Sequence, residues 1–391
     1  MKKISLYFSL LVSLVVIAVS CSKDAAQNPI LYAKFGEDIN LNKLLNYASQ
    51  AKPAYILKDN SGLTGVSNAK ATLGRVLFYD KQLSIDNSVS CASCHKQKFA
   101  FGDTAVASAG VAGGLTTRHS MRLINSRFAN EVKFFWDERA ASLEAQATQP
   151  IQSHVEMGFS GQSGRPALPT LLAKIQGLDY YNELFKFVYG DIGVTETRLQ
   201  ECLAQFVRSI QSFDSKFDAG RIQAPNDNAP FPNYTAQENQ GKQLFITAPV
   251  FDASGVRTGG GLGCQGCHAA PEFDIDPNAG NNGVIGNLNA PGIDINVTRA
   301  PTLRDLVNAN GTPHTSMMHT ANFTSLQQVI GHYGNINLAQ GNTRLDPRLR
   351  PNGFGQQLNL NATEVQAVAA FLRTLTGTAV YTDVRWSDPF K

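Results

Sequence analysis

The sequence predicts a mainly α-helical protein built as two similar halves, and three observations carry that reading. A run of the form Cys-x-x-Cys-His occurs twice, as Cys91-Ala92-Ser93-Cys94-His95 and as Cys264-Gln265-Gly266-Cys267-His268. Each run is preceded by a segment of one pattern, Leu73-Gly74-Arg75-Val76-Leu77-Phe78 in the first case and Gln240-Gly241-Lys242-Gln243-Leu244-Phe245 in the second. Each half then closes with an apolar helical pattern: residues 199–213 with Phe206, Val207 and Ile210, and residues 364–375 with Val368, Phe371 and Leu372. Recurrence in the same order favours an internal repeat over a set of unrelated amphipathic helices.

The spacing within each Cys-x-x-Cys-His run is the one by which c-type haem is attached. Two thiols a helical turn apart add to the haem vinyl groups, and the His that follows is held under the iron as its proximal ligand. A structural zinc site needs four clustered ligands, and a redox Cys-x-x-Cys pair does not require the His. The expected fold is therefore mainly α, with two cytochrome-c-like haem domains packed around an interdomain interface and one covalently bound haem c in each. In small cytochromes c the first and last helices cross, and Gly74 and Gly241 would let those backbones approach. The expected organisation is a leader over residues 1–21, a tether and first helix over 22–50, a first haem domain over 51–222, a linker rich in Pro, Asn and Asp over 223–235, and a second haem domain over 236–391. The stretches 251–263, with five glycines, and 269–298, rich in Gly, Asn and Asp, read as surface loops, one of which could carry a metal or a partner contact.

Lys2 and Lys3 precede an apolar stretch, residues 4–19, that ends in Ser20-Cys21. This is the pattern of a lipoprotein signal peptide, with an ordinary secretory signal as the alternative. The mature chain is then exported and anchored to a membrane by lipid on Cys21. The formal net charge of +3 includes the two leader lysines, so the mature chain is nearly neutral and nucleic-acid binding has no support. Of six cysteines, four serve haem and Cys21 serves lipid, leaving Cys202 as a core residue and no pair for a structural disulfide.

Further motifs carry a resemblance to a known family. The chain is similar to the bacterial dihaem cytochrome c peroxidase family, which includes the MauG enzymes, over nearly the whole mature sequence. The resemblance rests on residues 73–78, Ser90 to His95, Ala100-Phe101-Gly102-Asp103, Phe135-Trp136-Asp137-Glu138-Arg139-Ala140, Leu143-Glu144-Ala145-Gln146-Ala147, Pro150-Ile151, Glu156-Met157-Gly158 and Pro301-Thr302-Leu303-Arg304. It implies that the first haem meets hydrogen peroxide and the second receives electrons from a small cytochrome or copper protein. It assigns Glu156 as the acid-base residue over the peroxide face, with Gln146 beside it and Pro150 shaping the pocket. Splitting the O–O bond needs a group that moves a proton from the near oxygen to the leaving one, which a carboxylate of raised pKa can do. Trp136 takes the place of the indole between the haems that relays electrons, and Arg139 supports haem propionates or Asp137. Calcium between the domains and a homodimer are also implied.

The sequence departs from the family pattern in two places. Many of these peroxidases close the first haem at rest with a His on the loop after the first motif, whereas residues 103–118 contain no His, so the first haem should be open to peroxide without prior reduction. His119 stands where the family has the Asn that helps bind calcium, which puts that site in doubt; His119 is itself a further candidate distal ligand. For the second haem, His268 supplies one axial bond, and position assigns the other to Tyr333, the MauG-like choice, with Met318 or Met317 as the softer alternative and His332, His314 and His319 as lesser ones. The implied activity is reduction of peroxide to water. The alternatives are a MauG-like oxidase that uses a high-valent iron intermediate on a protein or organic substrate, and an electron carrier without catalysis.

Overall fold

A computed structural model describes residues 27–390. The predicted leader and Cys21 lie outside the described residues. Among the described residues no helix is long and apolar enough to cross a membrane. The architecture is helical with only short strands. The helices that matter below are α1 (Pro29–Phe35), α2 (Asn68–Tyr79), α3 (Asp179–Tyr189), α4 (Glu196–Ser209), α5 (Lys216–Gln223), α6 (Ala236–Ile246), α7 (Leu326–Gly334) and α8 (Ala362–Arg373).

Each half is organised by one crossing, α2 on α4 and α6 on α8. The starts of these helices are set locally. The Ser67 hydroxyl accepts from the Lys70 amide at the head of α2, and Thr235 with Glu238, and Asn361 with Glu364, form reciprocal capping pairs at the heads of α6 and α8. At each crossing a glycine lies against backbone. A Cβ on Gly74 would stand 1.9 Å from the Cys202 carbonyl oxygen, and a Cβ on Gly241 would stand 1.9 Å from that of Ala367. The aromatic packing repeats as well: Phe78 meets Phe206 at 5.1 Å and Phe101 at 5.9 Å, while Phe245 meets Phe371 at 5.2 Å and Phe273 at 5.8 Å.

The buried side chains fall into two main clusters. One runs from Leu31 through Ile210, and Cys202 sits in it, fully buried; the other runs from Phe217 to Leu375. Phe231 and Tyr234, within the stretch read as a linker, are buried in the second cluster, and α5 contributes Phe217 to it. The C-terminal tail returns to the first half. Val380 and Trp386 join the first cluster, the Trp386 indole donates to Ser209 Oγ at 3.2 Å, and the buried Arg75 of α2 donates to the Ser387 carbonyl at 2.7 Å. The glycine-rich stretch 251–263 is more ordered than a loop, since β1 (Pro249–Phe251) and β2 (Arg257–Gly260) pair antiparallel across it.

A buried ionic cluster joins the halves. Arg304 has no exposed surface and pairs at 3.0 Å with Asp218 of α5 and at 3.0 Å with Glu272. Tyr55, from the first half, donates to the same Asp218 at 2.6 Å. Arg118 spans the interface by holding Asp137 at 2.8 Å and Asp294 at 2.7 Å.

Candidate haem sites

Each Cys-x-x-Cys-His run ends at the wall of a cavity. In the first half Cys91–Cys94 forms a single helical turn, so both thiols leave one face and His95 follows at its end. In the second half Cys264–Gly266 forms a 3₁₀ turn and His268 begins a short strand. Both imidazoles are oriented the same way: His95 Nδ1 lies 3.0 Å from the Phe101 carbonyl oxygen and His268 Nδ1 lies 3.2 Å from that of Phe273. A carbonyl only accepts, so Nδ1 carries the proton and Nε2 is left as a lone-pair donor toward the cavity. Phe101 and Phe273 reach this geometry with φ of 59° and 58°, a left-handed backbone that costs a bulky residue energy and turns its carbonyl onto the ring. Burial lowers the pKa of His95 and brings that of His268 down to about 4, which keeps both rings neutral, as a metal ligand must be.

The second cavity has a volume of about 670 Å³ and is mostly apolar, with Leu326 and Ile330 of α7 and Val368 and Leu372 of α8 in its wall beside Cys264, Cys267 and His268. Tyr333 and Met318 line the same cavity. Asn282 donates through Nδ2 to the Tyr333 oxygen and to the Met318 sulfur, each at 3.2 Å. Of the other candidates, Met317 is buried in the second apolar cluster. His314 Nε2 is 3.0 Å from the Tyr381 hydroxyl, His319 Nε2 is 2.8 Å from the Gly286 carbonyl, and His332 Nε2 is 2.8 Å from the Asn282 carbonyl, so these three rings are engaged in hydrogen bonds.

The first cavity is smaller, about 180 Å³, and brings His95 together with Gln146, Pro150, Glu156, Trp136 and Arg139. Glu156 is half-buried. Its carboxyl pKa is raised by burial, an effect opposed by the Arg139 charge and by Ser153. Arg139 pairs with Asp137 at 2.8 Å and lies 3.5 Å over the Phe135 ring. Glu156 is 61 residues from His95 by numbering, and it reaches the cavity through the short helix Gln149–Gln152 and the bend that follows.

Trp136, His119, Arg122 and Arg299 line both cavities. The Trp136 indole donates to the His119 carbonyl at 2.7 Å, and the Trp136 carbonyl accepts from the Thr298 and Arg299 amides at 3.0 and 3.1 Å, so irregular segments of both halves clamp it. His319 packs against it with ring centroids 6.0 Å apart. His119 itself is buried; its Nδ1 is 3.2 Å from the Val106 carbonyl and its Nε2 has no hydrogen-bond partner. Among the described residues no group of three or more His, Cys, Asp or Glu is arranged to hold a further metal ion such as calcium.

The reading of residues 269–298 as surface loops is corrected by their burial. Asn281 has no exposed surface, Val284 is buried, and Asn282 forms part of the second cavity. Asn and Gly spacing without apolar periodicity looks like solvent-exposed loop, and nothing local distinguishes a loop that wraps a cofactor pocket.

The fold and the two motif-bearing cavities define a two-domain dihaem protein of the c type. The residues fit the group in each half: two thiols on one turn, a neutral imidazole with its outer nitrogen fixed, and an adjoining cavity. Comparison with known proteins agrees. Residues 68–224 match the model of the di-haem cytochrome c peroxidase family. The methylamine utilization protein MauG of Methylophilus methylotrophus is 26% identical over 80% of this chain and 83% of its own length. The cytochrome c551 peroxidase of Nitrosomonas europaea is 27% identical over 78% of this chain and 80% of its own. Among solved structures, a MauG-like protein associated with microbial copper homeostasis superposes with a TM-score of 0.64 at 23% identity, covering 87% of this chain and 99% of that one, a likeness that shows the fold. Residues 68–224 thus carry the di-haem cytochrome c peroxidase family pattern, and about four-fifths of the chain is similar to MauG and cytochrome c peroxidase proteins. That family is dihaem, so two haem c groups are implied.

Proposed function

We propose that this protein reduces hydrogen peroxide to water with electrons from a small redox protein, a cytochrome or a copper protein. The observation that carries the reading is the gathering of Glu156 and Gln146 with His95 around one cavity, while Trp136 forms the wall shared with the other. When bound, the haems supply the redox chemistry. The chain supplies the rest. His95 and His268 hold the two groups, and Gln146 offers an amide to orient peroxide. Glu156, kept partly protonatable by burial, takes the proton from the oxygen that stays and delivers it to the oxygen that leaves. Two electrons and two protons complete the conversion to two waters. Trp136, held at both its indole nitrogen and its carbonyl, provides a fixed aromatic path between the halves.

The test is Glu156→Gln. Oxidation of a reduced small cytochrome by peroxide should be lost while the pyridine haemochrome content stays at two haems per chain; full turnover would remove Glu156 from this role. The loop over residues 103–118 has no His, so the protein as isolated and fully oxidised should turn over without prior reduction.

A second reading, oxidation of a protein or organic substrate in the manner of MauG enzymes, is favoured by Tyr333, which lines the second cavity with His268 and would serve as the second ligand of a haem bound there. A phenolate holds iron in its oxidised form. Peroxide that changes the haem spectrum without oxidising any donor protein would favour this reading. Export and lipid anchoring through Cys21 belong to the same proposal: Cys21→Ser should release the protein from the membrane fraction.

A further inference from the structure

Asn282 is the polar group that the roles above leave unused, and it touches both candidates for the second ligand of the second haem. Its side chain has one orientation consistent with its surroundings. Oδ1 accepts from the Val284 amide at 3.1 Å, so Nδ2 is the end that faces Tyr333 and Met318. An amide NH₂ has two protons and no lone pair to offer, so it donates one to the Tyr333 oxygen and one to the Met318 sulfur, each across 3.2 Å. The Tyr333 oxygen therefore accepts here, a role open to phenol and phenolate alike.

The backbone around this amide is tied to the same helix. His332, the neighbour of Tyr333 on α7, places Nε2 2.8 Å from the Asn282 carbonyl, so Asn282 and Tyr333 are linked twice. Met318 is held separately. It adopts φ of 67°, a left-handed conformation uncommon for an unbranched apolar side chain, and its carbonyl accepts from the Ala321 amide at 3.1 Å. Two ligands of opposite character, a hard anionic oxygen and a soft neutral sulfur, thus stand within reach of one donor.

We propose that Asn282 is the positioning residue that selects the second ligand of the second haem, donating to Tyr333 so that its oxygen binds as phenolate while holding the Met318 sulfur off the iron. The proposal rests on the reading of Tyr333 as that ligand. A hydrogen bond to a phenolate spreads its charge and lowers the cost of keeping it in a largely apolar cavity, whereas a hydrogen bond to a thioether occupies one of the lone pairs it would offer to a metal. Each bond favours oxygen over sulfur. In ligation the phenol proton leaves for solvent and the oxygen pair bonds the ferric iron, so no oxidation or reduction is involved.

The experiment compares the full haem-loaded chain with Tyr333→Phe, Asn282→Leu, Asn282→Asp and Asn282→Leu/Met318→Leu, each checked for two haems per chain. Readouts are resonance Raman and near-infrared magnetic circular dichroism of the ferric state and the potential of the second haem. The expected result is a phenolate signature in the parent, absent in Tyr333→Phe. In Asn282→Leu and Asn282→Asp it should give way to a thioether signature and a positive shift in potential, and the double variant should lose the thioether signature. Should Tyr333→Phe leave the ferric spectrum unchanged, the Tyr333 reading fails and the proposal with it. Should Tyr333→Phe change the spectrum while both Asn282 variants keep the parent signature and potential, the proposal alone fails. Asp is nearly isosteric with Asn and lacks the donor, so a folding defect confined to Leu leaves the comparison intact.

Discussion

Gly74→Ala tests the crossing on which the first half is built, and its cost can be worked out from the contact it would make. The added Cβ would stand 1.9 Å from the Cys202 carbonyl oxygen and 2.8 Å from Phe206 Cβ, against the 3.0 Å below which real Cβ atoms essentially never approach. The struck oxygen belongs to the backbone of α4 and cannot rotate away. The helices must therefore part by about 1 Å or more, opening a close-packed interface between Leu73 and Leu77 on one side and Phe206 on the other. Overpacking costs about 1–3 kcal/mol, and backbone against backbone puts this case near 3 kcal/mol. The better helix propensity of alanine returns about 1 kcal/mol. The net loss of about 2 kcal/mol corresponds to a fall of roughly 4–8 °C in Tm for a unit of this size. Thermal unfolding of the haem-loaded chain, followed by far-ultraviolet circular dichroism and by the haem absorbance, measures it. Gly331→Ala is the control, since Gly331 lies exposed inside α7 with nothing within 4 Å of an added Cβ, and that variant should melt slightly higher. A Gly74→Ala protein that melts with the parent or above it would refute the close crossing. Gly241→Ala, 1.9 Å from the Ala367 oxygen, should lower Tm in the same way.

Arg304→Met should destabilise by about 3–5 kcal/mol, because it leaves Asp218 and Glu272 buried without their cation; a melting temperature unchanged from the parent would contradict that. Burial pushes the Asp274 carboxyl up to about 6, even though it accepts from the Asn130 and Glu131 amides. The folded state then holds a proton that the unfolded state has lost between about pH 4 and 6, so this group's contribution is present below pH 4 and disappears as pH rises through 6, on the order of 2–3 kcal/mol. Asp274→Asn should remove that slope, seen as a gap in Tm between variant and parent that widens from pH 4 to pH 7. The raised pKa of Glu156 predicts that peroxide turnover falls on the acid side at a pH above the ordinary carboxylate range, as the base becomes protonated. Arg139→Ala removes an opposing charge and should move that limb further up.

The repeat was legible because its signals are local. Each Cys-x-x-Cys-His run closes within five residues, and Gly74 and Gly241 mark crossings whose partner helices show their own apolar period. Position within the family pattern also carried Glu156, Gln146 and Trp136 to the first cavity and its shared wall, although these residues come from separate segments. What escaped depends on contacts between distant segments. Trp386 reads as an isolated aromatic near the end of the chain, yet it closes the first core beneath Ser209 of α4. Arg304 reads as one charge in a motif, and only the fold brings Asp218 and Glu272 to it.

The two left-handed phenylalanines mark the boundary between these cases. Phe101 follows His95 by six positions and Phe273 follows His268 by five, a spacing short enough to be local, yet no propensity rule puts a bulky residue at positive φ. Both accept that strain within one position of the same offset from the His, and each carbonyl then fixes the imidazole that would hold the iron. Strain repeated at equivalent places in both halves is what a functional constraint on the ligand ring would impose, since packing alone is free to differ between them. The same reasoning applies to Met318 at φ of 67°, whose counterpart in the first half is Phe135 at φ of 69°: the Met317 and Phe134 amides donate in the same way to the Phe323 and Ala140 carbonyls, so this turn too is shared by the halves.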